Sequence, residues 1–362
     1  MLAAVLAVQF GVFEIALRVW GSSEAAPAFQ GLFEDDPRIG YRLKPGAHTR
    51  FATADFETDI AINNVGVRDD EALGAKAPGE KRVVVLGDSL VLSVQVPLDQ
   101  TFGELLEKRL NSDANGPRYR VVNAGVQGYG PVEEALFFEQ FGPILQPDLV
   151  IVMIFVGNDA EEAFRSASKF GGERPGGFAA ARESAYTTLR RLVRRSMVLQ
   201  ILRLRVNTAL ERLGFSLAPP EPPLQSYAAN PAPRIGEGLV VARDAIERIA
   251  ASASRLNART AIVLMPARFQ VDDGDYGRLK TSVAETGGEL IRDAATGRFQ
   301  EALEPVPLPR LDLLPELRAQ LPGPDLFFQT NVHLTPHGHR VVADALADFI
   351  RQHGLFEQDH VR

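Results

Sequence analysis

Cysteine is absent from all 362 residues, and tryptophan occurs once, as Trp20. The first absence excludes disulfides, thiolate nucleophiles, iron–sulfur clusters and Cys-ligated zinc, and it leaves the compartment open. An excess of positive charge is also lacking: 39 Lys and Arg stand against 46 Asp and Glu, a formal net charge of −7. Nucleic acid is therefore not expected as a partner, because its recognition ordinarily leaves a basic footprint. No internal repeat or long low-complexity tract occurs. What is present is the make-up of a globular protein, 45% hydrophobic and 23% charged. Its length suits one large core, or one core with a small annex.

Residues 1–20 stand apart. From Leu2 to Phe13 the only polar residue is Gln9, and the apolar run continues to Val19 and Trp20 around Glu14 and Arg18. As a helix it would rise about 28 Å, close to the ~30 Å of a hydrocarbon core. It reads as a membrane anchor. A helix buried on the domain and a signal peptide, with Ala26-Pro27-Ala28 as a loose cleavage site, are the alternatives.

Residues 21–79 carry turn signals (Asp36-Pro37, Lys44-Pro45-Gly46) and short alternating stretches such as Phe56 to Ile60; they read as a small β-rich annex. From about residue 80 to 362 the pattern is strand–loop–helix. Strands are expected at Val83 to Leu86, Arg120 to Val122, Leu149 to Val156 and Ala261 to Met265. Helices are expected at Thr101 to Leu110, Val132 to Phe141, Glu237 to Leu256 and Gly338 to Ile350. Continuous apolar strands alternating with amphipathic helices predict a three-layer α/β domain around a parallel sheet. An insertion at about 165–235 breaks the rhythm. Within it, residues 182–212 hold eight arginines against Glu183 and Glu211. That stretch reads as a helix with a solvated basic side; a lid or a face leaning on anionic lipid is the sharper alternative.

Four loops could carry chemistry. Gly87-Asp88-Ser89-Leu90 follows the first buried strand, where open α/β sheets place their sites; Ser89 is a candidate nucleophile. Asn123 to Gly128 follows the second and can offer a backbone N–H at Gly128. Gly157-Asn158-Asp159 ends the third, with the Asn158 amide as a candidate oxyanion donor. Asn331-Val332-His333 precedes the last helix. A serine hydroxyl needs a neighbouring base, and His333 stands where one could reach it. Taken singly, each has a plain alternative as a βα turn or helix cap. His333, His337 and His339 have no nearby Asp or Glu to complete a metal set, so neither metal nor cofactor is expected.

Together, and in this order, the four motifs resemble the SGNH (GDSL-like) hydrolase superfamily across about residues 81–351. The resemblance implies a flavodoxin-like parallel sheet, with Ser89 as nucleophile and His333 as general base. Gly128 and Asn158 would line the oxyanion hole together with the Ser89 N–H. The stretches Asp36 to Gly46 and Asn63 to Asp69 resemble a bacterial subgroup with an N-terminal membrane helix. That subgroup implies an acyl or acetyl ester of a glycan or lipid as substrate, in a domain outside the inner membrane. One departure matters: the family's orienting aspartate, two or three residues before the histidine, is replaced by Asn331 or Thr330. In a serine-protease triad Asp-to-Asn lowers turnover about 10⁴-fold. A weakened triad using Asn331, orientation by Asp325 or a backbone carbonyl, and loss of activity are the three consequences open. Ser93 and Gln95 stand where relatives often carry glycine. The expected activity is ester hydrolysis; acyl transfer to a sugar hydroxyl, and a non-catalytic binding protein on the same fold, are the alternatives.

Overall fold

The computed structural model describes residues 31–52, 56–113, 116–170, 224–328 and 331–356. The expected anchor at 1–20, the basic segment 182–212 and Thr330 lie outside them. Among the described residues no helix is long and apolar enough to cross a membrane.

Two antiparallel hairpins come first. They pair β1 (Phe33–Asp36) with β2 (Gly40–Leu43), and β3 (His48–Ala52) with β4 (Glu57–Ala61). The central sheet follows, with β5 (Lys81–Gly87), β6 (Tyr119–Gly125), β7 (Leu149–Phe155), β8 (Arg259–Met265) and β9 (Arg310–Asp312). Its order is β6-β5-β7-β8-β9 and every pairing is parallel. Counted from β5, that is 2-1-3-4-5, the flavodoxin-like order, whose chain reverses direction across the sheet at β5 and β7.

Both faces of the sheet are covered, which is why its strands are apolar throughout rather than alternating. Val84, Leu86, Val150, Val152 and Ile262 belong to one core, shared with helices α3 (Pro131–Leu145), α4 (Asp159–Phe170) and α5 (Pro233–Arg255) and with Leu32, Ile39 and Ile60 of the hairpins. Their neighbours in sequence, Val83, Val85, Ile151 and Val263, point into the other core. That second layer is built from α1 (Ser89–Leu92), α2 (Phe102–Leu110), α9 (Leu313–Arg318) and α10 (Pro336–Gln352). Between β8 and β9 lie α6 (Arg268–Val271), α7 (Asp273–Glu285) and α8 (Ala294–Ala302).

Several boundaries differ from the local reading. Helix α3 runs on to Leu145, through Gly142 and Pro143. Proline there gives up a backbone donor, but Phe137, Phe138 and Leu145 are all buried, and packing outweighs the local preference. Strand β6 extends to Gly125, so Asn123 lies within the strand rather than past it. His333 does not follow a strand of the sheet. It lies next to the isolated Phe327–Leu334 bridge, and its carbonyl accepts from Phe328 N–H at 2.9 Å.

Two glycines let α1 lie directly on the strand ends. A Cβ at Gly125 would meet Leu92 N at 2.3 Å and Val91 C at 2.7 Å, and one at Gly87 would meet Val91 Cγ2 at 2.3 Å. Backbone cannot yield as a flexible side chain can, so Gly125→Ala should destabilise the protein by about 1–3 kcal/mol. A lowered urea midpoint at unchanged slope is the expected result; an unchanged midpoint would show that α1 moves freely.

Candidate active site

Asp88 closes β5 and caps α1, its carboxylate accepting from Leu90 N at 2.8 Å. Ser89 is therefore the first residue of a four-residue helix seated across the carboxyl ends of β5 and β6. Asn123 ties this turn down from the strand: its Nδ2 donates to Val91 O at 2.7 Å while its Oδ1 accepts from Gly125 N at 3.1 Å.

The helix ends at Ser93, whose φ of 55° is the left-handed conformation glycine favours. The Ser93 hydroxyl donates to the Leu90 carbonyl, so a serine holds the shape that glycine supplies elsewhere. The following loop is gripped from the hairpin region. Arg68, 2% exposed, donates to Leu92 O at 2.9 Å, to Ser93 O and to Val96 O at 2.7 Å, and Thr58 Oγ1 donates to Val94 O at 2.6 Å. Burial lowers the Arg68 guanidinium to about 10, with nearby Glu104 opposing the shift, so it stays charged at neutral pH.

Across the sheet, His333 Nε2 lies 3.0 Å from Ser89 Oγ, and His333 Nδ1 lies 3.2 Å from Asn331 Oδ1. The same Asn331 oxygen accepts from the His333 backbone N–H at 2.9 Å. That third contact has a chemical consequence. A backbone N–H can only donate, so the amide must turn its oxygen, not its nitrogen, toward the ring. Nδ1 then carries the ring hydrogen, and Nε2 is left bare to accept from the Ser89 hydroxyl. Asparagine here selects the tautomer that a general base needs. It does not supply the negative charge that would stabilise an imidazolium, and burial pulls His333 down to about 4.

Gly128 and Asn158 stand at the carboxyl ends of β6 and β7, the two strands flanking β5. Gly128 has φ +72°, and Tyr41 of β2 secures its turn by donating to Gln127 O at 2.7 Å. Asn158 immediately precedes α4, and Glu162 N–H donates to its carbonyl at 2.9 Å. Its side-chain Nδ2 donates to Glu162 Oε1 at 3.0 Å. Asp159 Oδ2 accepts from Phe155 N at 2.8 Å, fixing the strand end.

Beneath the site lies a group of buried carboxyls. Burial first, then mutual repulsion, pushes Glu134 and Asp159 well above the usual range. Burial raises Asp88 to about 6, and burial with repulsion from Asp88 raises Glu162 to about 8. The other histidines of the His333 region do other work. His339 is 1% exposed and accepts from Phe102 N at 3.2 Å; His337 lies beside Arg340. Among the described residues no group of three His, Cys, Asp or Glu could hold a metal ion. Asp325 serves the turn through its backbone carbonyl, which accepts from Thr335 Oγ1; the atom facing His333 Nδ1 is Asn331 Oδ1.

The sequence pattern assigns no role to Tyr41, Arg68 or Glu162. Tyr41 and Arg68 fall inside the two N-terminal motifs, and Glu162 sits one helical turn beyond Asn158. Spacing could have flagged the last; nothing local could have placed the first two.

Restoring the missing charge gives a direct check on this electrostatic account. In Asn331→Asp a carboxylate would face Nδ1 and favour the charged ring, so the His333 titration should move upward from about 4. NMR titration of the imidazole reads this; an unmoved midpoint would mean that residue 331 does not face the ring.

Residues 233–361 match a family model described as SGNH hydrolase-like domain, acetyltransferase AlgX. That span contains Asn331 and His333, whereas Ser89, Gly128 and Asn158 precede it. No curated protein matches the chain. Among solved structures, the chain is similar to an acetyl xylan esterase, AlAXEase, at 12% identity over 74% of this chain and 98% of that one, with a TM-score of 0.42. It is similar to TesA at 13% identity over 75% and 99%, with a TM-score of 0.41. It is also similar to the lipase/acylhydrolase from Enterococcus faecalis at 13% identity over 75% and 96%, with a TM-score of 0.39.

Proposed function

We propose that this protein is a serine-dependent acyl-transfer enzyme acting on acyl or acetyl esters through an acyl-enzyme on Ser89. The observation that carries the reading is the 3.0 Å approach of His333 Nε2 to Ser89 Oγ, made in the tautomer that accepts the hydroxyl proton. Ser89 Oγ attacks the ester carbonyl carbon while its proton passes to His333 Nε2. The carbonyl oxygen becomes an oxyanion, which the Ser89 and Gly128 N–H groups and the Asn158 amide would receive. Collapse breaks the bond to the alcohol, which leaves with the His333 proton. A second hydroxyl compound, water or an alcohol, then gives its proton to His333 and bonds to the acyl carbon; the bond to Ser89 Oγ breaks and His333 returns the proton to that oxygen.

With water as acceptor the protein is an esterase or deacetylase. With a sugar hydroxyl it is an O-acyltransferase, which the acetyltransferase description of the family model over 233–361 favours. The substrate class that suits either is an ester of an envelope glycan or lipid. Residues 1–20 would tether the domain to the inner membrane, with the site on the periplasmic side.

Turnover of 4-nitrophenyl acetate by the wild type, Ser89→Ala and Asn331→Asp proteins tests this. Ser89→Ala should abolish turnover by at least about 10³-fold. Asn331→Asp should raise kcat between about 10- and 10⁴-fold. If Ser89→Ala retains wild-type turnover, the reading is wrong.

The pH profile carries a further expectation. His333 must be neutral to act as base, so wild-type kcat/KM should rise with pH through about 4 to a plateau in the neutral range. In Asn331→Asp that acidic limb should shift to higher pH. An acidic limb unmoved by the substitution would separate the limb from His333.

A further inference from the structure

We propose that Glu162 is the positioning residue of the candidate oxyanion hole, holding the Asn158 amide so that one of its N–H groups stays aimed at the reacting oxygen. The inference rests on the reading of Asn158 as an oxyanion donor. Its first support is an anomaly of capping. An asparagine that opens a helix ordinarily uses its side-chain oxygen to accept from a backbone N–H of the first turn. Asn158 does not: its Oδ1 is buried without a partner, and its Nδ2 donates to Glu162 Oε1 at 3.0 Å. One amide hydrogen is thereby anchored by a side chain one turn along α4, and the second is left for a ligand.

The second support is the space made for Glu162. A Cβ at Gly130 would stand 3.0 Å from Glu162 Cβ and 3.5 Å from Glu162 Oε2, so the loop that carries Gly128 closes directly over this side chain. Glu162 thus hydrogen-bonds one expected oxyanion donor, Asn158, and packs beneath Gly130, two residues beyond the other, Gly128. Its charge surroundings are as unusual as its place. Asp88 of the nucleophile turn and Glu133 of α3 repel its ionised form, and Arg165 of its own helix favours it. Buried Glu134 and Asp159 also face it, and Arg234 of α5 lies nearer Glu161, 3.7 Å away.

Burial first, then repulsion from Asp88 and Glu133, raises the Glu162 carboxyl to about 8 against the opposing pull of Arg165 and the Asn158 hydrogen bond. At neutral pH it is therefore mostly a neutral acceptor, one that orients the amide without setting a negative charge beside a developing oxyanion. Above about 8 it ionises, and its charge opposes the transition state.

The experiment compares wild type with E162A, E162Q, N158A and E162A/N158A. The measurements are kcat and KM for 4-nitrophenyl acetate, and the rate at which diethyl 4-nitrophenyl phosphate labels Ser89, followed by intact mass. The phosphoryl oxygen of that reagent occupies the same hole. E162A should lower kcat and the labelling rate about 10- to 100-fold at nearly constant KM, within the loss expected for an oxyanion donor. E162Q keeps an acceptor and should restore most of that rate. In E162A/N158A the losses should not multiply, because both substitutions remove one device. Wild-type rate should fall above pH 8, and that fall should be missing in E162Q.

Losses that multiply, or E162Q as impaired as E162A, would overturn the inference. So would a lowered rate in N158A alongside wild-type rates in E162A. Failure of the underlying reading looks different: no label on Ser89, or no effect of N158A, overturns the oxyanion-hole assignment itself and this inference with it.

Discussion

Parallel pairing of five strands whose two faces are both buried is the constraint on which everything else depends. Parallel neighbours must all run in one direction, so each connection has to cross back through a helix, and every strand ends on the same edge. Gly87, Gly125 and Phe155 end three adjacent strands, and the loops that follow carry Ser89, Gly128 and Asn158. These residues are far apart in the chain but neighbours on one sheet edge. Valine and isoleucine on both faces of β5 and β7 thus do more than fill a core. Their parallel pairing sets the three loops side by side.

The hairpins before β5 contribute to the same edge. Arg68 gathers the last carbonyl of α1 and two from the loop after it, and Tyr41 grips the carbonyl beside Gly128. Tyr129 returns the contact by donating to the Tyr41 carbonyl. Loop carbonyls that face inward need donors, and a loop has no ladder to provide them. A buried guanidinium can satisfy several at once, at the cost of desolvating its charge, which is visible in its lowered affinity for the proton. Residues 41 and 68 thereby replace local secondary structure as the support of these two loops.

Low polarity governs the electrostatics beneath the site. Burial favours neutral forms, raising Asp88, Glu134, Asp159 and Glu162 while lowering His333 and His339. In such surroundings an asparagine beside the histidine costs less than a carboxylate to bury, and it still directs the tautomer. What it gives up is the counter-charge for an imidazolium. The replacement that looked in the sequence like a damaged triad is, in the structure, an intact hydrogen-bond chain with its charge removed.

The sequence by itself determined the α/β class, the apolar central strands and the four loops that bear Ser89, Gly128, Asn158 and His333. These follow from local pattern: a run of β-branched residues needs cover on both faces, and a glycine or polar cluster after it marks a strand end. Boundaries were less legible where packing overruled propensity, as at Pro143 in α3. Tertiary structure alone decided the rest. It brought His333 against Ser89, turned the Asn331 oxygen toward the ring, and sent His339 into the core as a partner for Phe102. It also recruited Tyr41, Arg68 and Glu162 to hold the loops. Tyr41, Arg68 and His339 act through contacts between distant segments, whereas Asn331 and Glu162 act over two and four residues through the orientation of a single side chain. Sequence periodicity records which face a residue occupies, not which atom it meets there.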